Sequence, residues 1–295
     1  MAVVRRYSWL AAVTLAAAGC IALLPVTARA TGWPPWAAPR PQSLALRNTE
    51  PGPAAGQKAA PGAGSEAGRE PLAGCEQKIK HGVPTLAIVG ASFTAGVGPG
   101  NPGKAWAVLL ARQLHWNAVV YGDPGAGYVR AGLGRKGRRG PIADEITRIG
   151  VGALKPELVI VQAGHDDIGV PPRLEERRVE QAIDLIRAEA PRAQIALLTV
   201  FAGRSRSAAA YRTDHAIVAG GIAADRGVII MDPLTGGWTF PRSRDGLHPS
   251  AAGSVWIAAK VAGVLREHGV LAQPAGRGAV VCDVGIAVPR QRKAD

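Results

Sequence analysis

Short apolar, β-branched runs alternate with longer segments of helical periodicity along most of this 295-residue chain. Five such runs predict strands over residues 85–90, 117–122, 157–164, 194–203 and 227–233. Apolar residues recur every three or four positions in the segments that predict helices, residues 105–115, 142–154, 173–190, 207–226 and 250–269. Strands that are apolar on both faces and separated by helices indicate a parallel sheet covered on both sides. Because crossovers are right-handed, the pattern predicts a three-layer α/β/α sandwich around a doubly wound, five-stranded parallel sheet.

The first 30 residues have the features of an export signal. A basic pair, Arg5 and Arg6, precedes an apolar run over residues 9–26, and small residues follow it. Two alternatives stay open: an uncleaved membrane anchor, since the run is nearly long enough to span a bilayer, and a lipid attachment site at Cys20. We therefore expect a protein that is secreted or extracytoplasmic, and membrane-anchored if the leader is retained.

The composition then divides the rest of the chain. Residues 31–74 are rich in proline, glycine and alanine and nearly lack large aliphatic side chains, so they cannot bury enough surface to fold. We interpret them as a disordered linker. Residues 75–282 form the predicted folded domain, and residues 283–295 form a C-terminal tail.

Three cysteines are present, and cleavage of the leader would remove Cys20. Cys75 and Cys282 then remain at the two ends of the predicted domain. An even number of cysteines in an exported chain predicts a disulfide between them, with two unrelated thiols as the alternative.

The chain is basic, with a formal net charge of +13, which falls to +10 once a leader carrying Arg5, Arg6, Arg29 and no acid is removed. Export argues against a nucleic-acid partner, and the basic cluster at residues 135–140 lacks aromatic side chains for stacking on bases. Attraction to an anionic envelope or to acidic lipids explains the charge as well as a solvated basic surface does. We predict no nucleic-acid partner and name an anionic envelope or membrane surface as a candidate.

Polar residues follow the first three strands, at the sheet edge where open parallel sheets bind ligands. Ser92 lies after the first strand, where a serine either exposes its hydroxyl as a nucleophile near a helix N-terminus or caps that helix. Gly125 and Gly127 follow the second strand and allow a backbone N–H to face an oxyanion. The third strand leads into the polar sequence GHDD at residues 164–167.

The sequence DGLHPS follows the fifth strand and places Asp245 three positions before His248. A serine needs a base to accept its proton, and an imidazole held by a carboxylate is suited to that task at neutral pH. Taken alone, the pair could equally be a helix N-terminal acid and a surface histidine. Because these segments converge on one sheet edge, we interpret Ser92, His248 and Asp245 as a serine triad.

The four segments that contain Ser92, Gly127, residues 164–167 and residues 245–250 resemble, in the same order, the four sequence blocks of the SGNH, or GDSL-type, hydrolases. The resemblance covers roughly residues 83–270, and the chain is similar to exported actinobacterial members. The resemblance implies a flavodoxin-like fold and hydrolysis of esters, thioesters or acylated carbohydrates without a metal or other cofactor. It implies that Ser92 is the nucleophile and that the N–H groups of Ser92 and Gly127 line the oxyanion hole. DGLHP matches the acid–histidine block of the family.

Two positions depart from the family pattern. Ala91 replaces an aspartate that lies outside the triad, so little loss is expected. Asp166 replaces the asparagine whose amide donates to the oxyanion, and an ionised carboxylate there would repel the transition state. Three alternatives stay open: weak activity on the N–H groups of Ser92 and Gly127, a protonated Asp166 that donates, or a donor from His165.

We hypothesise an exported, monomeric serine esterase that cleaves carboxylic esters of lipid or acylated carbohydrate through an acyl-enzyme. Trp238, in the loop before the acid–histidine block, is a candidate wall of the substrate pocket, and His165 is a second candidate for substrate binding. The alternative is a weak or inactive module that binds envelope glycan or lipid. Transfer of the acyl group to another alcohol would use the same residues.

Overall fold

The computed structural model describes residues 78–134, 140–203, 207–272 and 280–283. The predicted leader and linker, nearly all of the predicted tail, and residues 135–139 of the basic cluster lie outside these ranges, so the interpretations made of them stay predictions. Within the described part of the chain, no helix is both long enough and apolar enough to cross a bilayer.

A parallel sheet forms the middle layer. Its strands are β1 (Thr85–Gly90), β2 (Asn117–Gly122), β3 (Leu158–Gln162), β4 (Gln194–Leu198), β5 (Ile229–Met231) and β6 (Val281–Asp283). The spatial order is β5-β4-β3-β1-β2-β6, and every neighbouring pair is parallel. The chain first moves from β1 to β2 and then returns to β3 on the other side of β1. This reversal creates a switch point between β1 and β3, where such sheets bind ligands.

The predicted number of strands was one too low. β6 pairs with β2 through Ala118↔Val281, Val119↔Cys282 and Val120↔Asp283. A three-residue edge strand is too short to show a periodicity. The predicted boundary between domain and tail, after residue 282, therefore falls inside this strand.

The predicted disulfide is not shown by the structure. Cys282 lies in β6 with a buried, free thiol, and Cys75 lies outside the described residues. The pairing of these two cysteines stays a prediction.

Helices connect the strands at nearly the predicted positions. They are α1 (Ser92–Ala95), α2 (Trp106–Leu114), α3 (Ile142–Arg148), α4 (Val151–Leu154), α5 (Pro172–Glu189), α6 (Ala208–Ala224) and α7 (Ala251–Glu267), with short 3₁₀ turns at Pro102–Lys104 and Val270–Ala272. The helix predicted over residues 142–154 is divided into α3 and α4 because Gly150 adopts a left-handed conformation with φ of 57° between them.

Alternate residues of each central strand enter two separate cores. On β1, Ala87 and Val89 pack on the face covered by α3, α5 and α6, whereas Leu86 and Ile88 pack on the face covered by α2 and α7. These buried positions explain why the strands read as continuous apolar runs. The layered architecture confirms the predicted α/β/α sandwich, and it places the carboxyl ends of β1, β2 and β3 along one edge.

Candidate active site

Ser92 is the first residue of α1, directly after β1. The N-cap of this helix is Ala91, which makes no side-chain cap. The Ser92 hydroxyl is therefore not used as a helix cap, which removes the structural alternative considered for it. Its position at the end of a buried strand leaves the hydroxyl half-buried at the switch point of the sheet.

The three predicted triad residues are brought together. The Oγ of Ser92 lies 2.8 Å from Nε2 of His248, and Nδ1 of His248 lies 2.8 Å from Oδ2 of Asp245. Both distances are ordinary hydrogen bonds. An alcohol, an imidazole and a carboxylate joined in this order can pass a proton from the serine to the histidine while the acid fixes the tautomer of the ring.

Hydrogen bonds within its own loop stabilise the ionised form of the Asp245 side chain. Its Oδ1 accepts the Ser243 hydroxyl at 2.8 Å and the N–H groups of Leu247 and His248 at 2.8 and 2.9 Å. Burial alone would raise the pKa of Asp245, but the bonds from the His248 ring, the two N–H groups and the serine outweigh burial and hold the pKa well below its usual range. The acid therefore stays charged through the whole pH range in which an imidazole titrates.

Close packing fixes the position of His248. A Cβ at Gly98 would lie 2.1 Å from the carbonyl oxygen of Pro249 and 2.6 Å from Cβ of His248, so only glycine lets the two loops approach this closely. The ring of Phe93 lies 5.0 Å from that of His248 and stacks on Phe201 at 4.7 Å. The imidazole is thus bounded on one side by an aromatic pair.

The structure does not support the role predicted for Gly127. Its N–H donates to the carbonyl of Arg130 at 2.8 Å, so this donor is already used. A Cβ at Gly127 would lie 2.1 Å from Oδ2 of Asp167, which shows that glycine is required here for packing against that carboxyl group. The sequence pattern of two glycines did not reveal which of them carried the free N–H.

Two backbone N–H groups near the serine remain unused. Among the hydrogen bonds of the described residues, none uses the N–H of Ser92 or that of Gly125. Gly125 has a φ of 87°, a conformation that favours glycine, in the turn after β2. This turn begins beside β1, because the N–H of Asp123 donates to the carbonyl of Gly90 at 2.8 Å. The switch point therefore offers free donors from two neighbouring strand ends.

Asp166 and His165 lie between β3 and α5 in an environment that favours their neutral forms. Oδ2 of Asp166 is buried without a hydrogen-bond partner in the described part of the chain. Burial and the neighbouring charge of Asp167 raise the pKa of Asp166 to about 6, although His248 and Arg130 act in the opposite direction. Burial and the charge of His248 lower the pKa of His165 to about 4. His165 is thus neutral at neutral pH.

A cleft of about 270 Å³ opens beside the triad. Its lining includes Asp245 and His165 together with the apolar side chains of Ile168, Phe201 and Leu247. Phe201 follows a buried strand and has the pattern of a core residue, so nothing in the sequence indicated that it lines the cleft. An apolar floor with polar groups at one end is suited to a small acyl or sugar group.

Trp238 was a candidate wall of the substrate pocket, but the structure places it in the apolar core. Its side chain is 9% exposed and packs against Phe201 and Trp256, with ring centroids 6.5 and 5.9 Å away. In the described part of the chain, no group of three or more His, Cys, Asp or Glu side chains is arranged to hold a metal ion.

Residues 88–255, more than half of the chain, match the model of the GDSL-like Lipase/Acylhydrolase family. The chain belongs to this family. It is also 29% identical over 186 residues to the GDSL lipase Rv0518 of Mycobacterium tuberculosis, an alignment that covers 60% of this chain and 79% of the relative. Family membership supports an activity as an esterase or acyl hydrolase, and it confirms the resemblance seen in the sequence blocks.

Solved structures agree on the fold. A family two carbohydrate esterase from Clostridium thermocellum, solved with cellohexaose, has a TM-score of 0.51 and 16% identity, covering 63% of this chain and 65% of that one. A carbohydrate esterase family 2 enzyme from Corynascus thermopiles has a TM-score of 0.51 and 20% identity, covering 63% and 67%. This chain thus spans about two thirds of each of these proteins. At these identities the likeness shows the SGNH hydrolase fold.

Proposed function

We propose that this protein is a serine esterase that works through a covalent acyl-enzyme. The observation that carries the proposal is the continuous chain of two 2.8 Å contacts from Ser92 Oγ through the His248 ring to Asp245. In the first step Oγ bonds to the carbonyl carbon of the ester while Nε2 of His248 accepts the hydroxyl proton. The tetrahedral intermediate then collapses, and His248 returns that proton to the leaving alcohol oxygen.

Deacylation uses the same groups. A water molecule attacks the acyl-enzyme carbonyl and gives one proton to His248, and that proton returns to Oγ of Ser92 as the carboxylic acid leaves. The low pKa of Asp245 keeps it negative, so it stabilises the imidazolium that forms in each half-reaction. An excess of added alcohol could replace water, and product analysis would then reveal acyl transfer.

The oxyanion is the second requirement of this mechanism. We assign its backbone donors to the N–H groups of Ser92 and Gly125, because the N–H of Gly127 is already bonded. From the resemblance to the family pattern, we assign the third donor position to the side chain of Asp166, which can donate only when it is protonated. Its raised pKa, about 6, supports the presence of that form at mildly acidic pH.

The cleft beside the triad is proposed to bind the acyl group. Its volume, about 270 Å³, suits a short chain, and the carbohydrate esterases among the structural neighbours make acylated carbohydrate the first substrate class to test. A screen of acetylated sugars and of p-nitrophenyl esters of rising chain length tests this. We expect turnover to be highest for acetyl to butyryl esters, whereas a maximum at long chains would contradict the assignment.

Shortening one apolar wall of the cleft should change the preference for acyl length. Ile168→Ala removes apolar bulk from the lining, so the ratio of kcat/KM for octanoyl over acetyl esters should rise about tenfold. The matched control is Ile222→Ala, because Ile222 is 50% exposed on α6 and does not line the cleft. An unchanged ratio in Ile168→Ala would show that the acyl chain binds elsewhere.

A second candidate is a module that binds envelope glycan or lipid without turnover. Asp166 favours it, because a charged carboxylate at the third donor position opposes ester hydrolysis. Labelling by a serine-directed phosphonate separates the two candidates, since a binding module has no need of an activated serine.

We also propose that the protein acts outside the cytoplasm, on or near an anionic surface. The basic and apolar leader within residues 1–30 and the +10 charge left after its removal support this placement. N-terminal sequencing of the protein recovered from culture medium and membranes tests it. A mature N-terminus at or near residue 31 is expected for a cleaved leader, whereas an intact N-terminus in the membrane fraction would indicate an anchor.

A further inference from the structure

A second cleft, of about 390 Å³, adjoins the triad, and we call it the arginine cleft after Arg242 and Arg244 in its lining. Among the described lining residues, Asp245 is the one that it shares with the smaller cleft beside the triad. Gly98 also lines it and packs directly on His248, since a Cβ at Gly98 would lie 2.6 Å from Cβ of that residue. The arginine cleft therefore lies next to both the acid and the base of the triad.

The two arginine side chains give this cleft an excess of positive charge. Neither Arg242 nor Arg244 makes an ion pair with an acid among the described residues. Asp245 is the only acid in the described lining, and its carboxylate already accepts the Ser243 hydroxyl and two backbone N–H groups and contacts Nδ1 of His248. The charge of the two guanidinium groups is therefore available to a ligand.

One of the two arginines is held in a fixed position relative to the triad. Arg242 forms an antiparallel bridge with Pro249, the residue after His248. Its guanidinium group donates to the carbonyl of Ala202 at 2.6 Å and lies 5.3 Å from the ring centroid of Phe240. A guanidinium group that is already oriented loses less conformational freedom when it binds an anion.

We propose that the arginine cleft binds an anionic group, a phosphate or a carboxylate, on the alcohol half of the ester. The acyl half is assigned to the smaller cleft, and the two clefts meet at Asp245, so an ester bound at Ser92 can place its alcohol half in the arginine cleft. Guanidinium groups recognise phosphates and carboxylates through paired hydrogen bonds. This inference rests on the proposed function, because it takes Ser92 as the point where the two halves of the substrate separate.

The first test measures binding without turnover, on the wild-type protein by calorimetry. Glucose 6-phosphate, glucuronate and glycerol 3-phosphate are titrated, with glucose and glycerol as their uncharged counterparts. We expect at least one anion to bind about fivefold or more tightly than its counterpart, and this difference to shrink as NaCl is raised from about 50 to 500 mM. The anion with the largest difference identifies the alcohol half as a sugar phosphate, a sugar acid or a glycerol phosphate of the kind found in lipid headgroups.

Variants of the two arginines show whether this preference arises in the cleft. Arg242→Gln and Arg244→Gln should each weaken binding of the preferred anion about fivefold, and Arg244→Glu should abolish the preference. The matched control is Arg177→Gln, which removes the same charge from an exposed position on α5 that does not line the cleft. Because Arg242 also contacts Ala202 and Phe240, its variant is checked for folding by its urea midpoint, whereas Arg244 is exposed and tests the proposal if Arg242→Gln does not fold.

Turnover provides a second measurement, with 4-acetoxybenzoate and its uncharged methyl ester as substrates. Arg244→Gln should raise KM for the anionic ester about fivefold while kcat changes less than about twofold, because the arginine binds the alcohol half and does not touch the reacting atoms.

Equal affinity for the charged and uncharged ligands in wild type, or equal losses in Arg177→Gln and Arg244→Gln, would overturn the inference. The calorimetric ligands contain no ester, so their binding reports the anion site even if Ser92 is not the nucleophile. Failure of Ser92→Ala to reduce turnover would instead overturn the proposed function.

Discussion

Ser92→Ala should lower kcat for p-nitrophenyl acetate by about 10⁴-fold or more, with the fold intact. The substitution removes the only atom that can form the acyl bond, and the remaining groups can only orient water. His248 would lose its 2.8 Å hydrogen-bond partner, while its bond to Asp245 would remain. Steady-state kinetics at pH 7.5, after subtraction of spontaneous hydrolysis, give the measurement.

The matched control is Thr147→Ala. Thr147 is exposed on α3, and its hydroxyl donates only to the carbonyl of Ala143. This variant should keep wild-type kcat, because it also removes a side-chain hydroxyl but Thr147 is not bonded to a triad residue and does not line the cleft. Turnover of Ser92→Ala at the level of the control would refute Ser92 as the nucleophile.

Asp166→Asn should raise activity, with an increase in kcat of about 100-fold at pH 8. The pKa of Asp166, about 6, means that the carboxyl group is largely ionised at that pH and opposes the oxyanion. An asparagine amide donates regardless of pH. In wild type, activity carried by protonated Asp166 should decline as pH rises through about 6, whereas the asparagine variant should lack that decline.

Profiles of kcat from pH 5 to 9 for wild type and Asp166→Asn provide the test, with Asp184→Asn as control because Asp184 is exposed on α5. The gain should shrink toward pH 5, where wild-type Asp166 holds its proton. A pH-independent ratio, or a loss of activity in Asp166→Asn, would show that this side chain does not face the oxyanion.

The strands and the triad could be predicted because each depends on a local pattern. Apolar runs such as residues 85–90 identify buried strands, and the carboxyl ends of parallel strands meet at one edge whatever lies between them. That topology alone brought Ser92 close to a histidine 156 positions away. Asp245 was identifiable because it lies three positions before that histidine in the same loop.

Other features depend on contacts that no local pattern encodes. Whether Gly125 or Gly127 donates to the oxyanion depends on which of the two N–H groups is already hydrogen-bonded within the loop. Trp238 could equally have faced solvent or core, and its place was decided by packing against Phe201 and Trp256. Glu175 is fully buried although it lies in the charged sequence RLEERR, and no periodicity of that segment indicated its burial.

The central claim is that Ser92 is an activated nucleophile. The most direct measurement is incubation of the purified protein with a serine-reactive fluorophosphonate, followed by mass spectrometry of the intact chain and of its peptides. The account predicts one adduct per chain, located on Ser92, and no adduct in Ser92→Ala or after acid denaturation. An unlabelled Ser92, or an adduct on another serine that accompanies loss of activity, would contradict it.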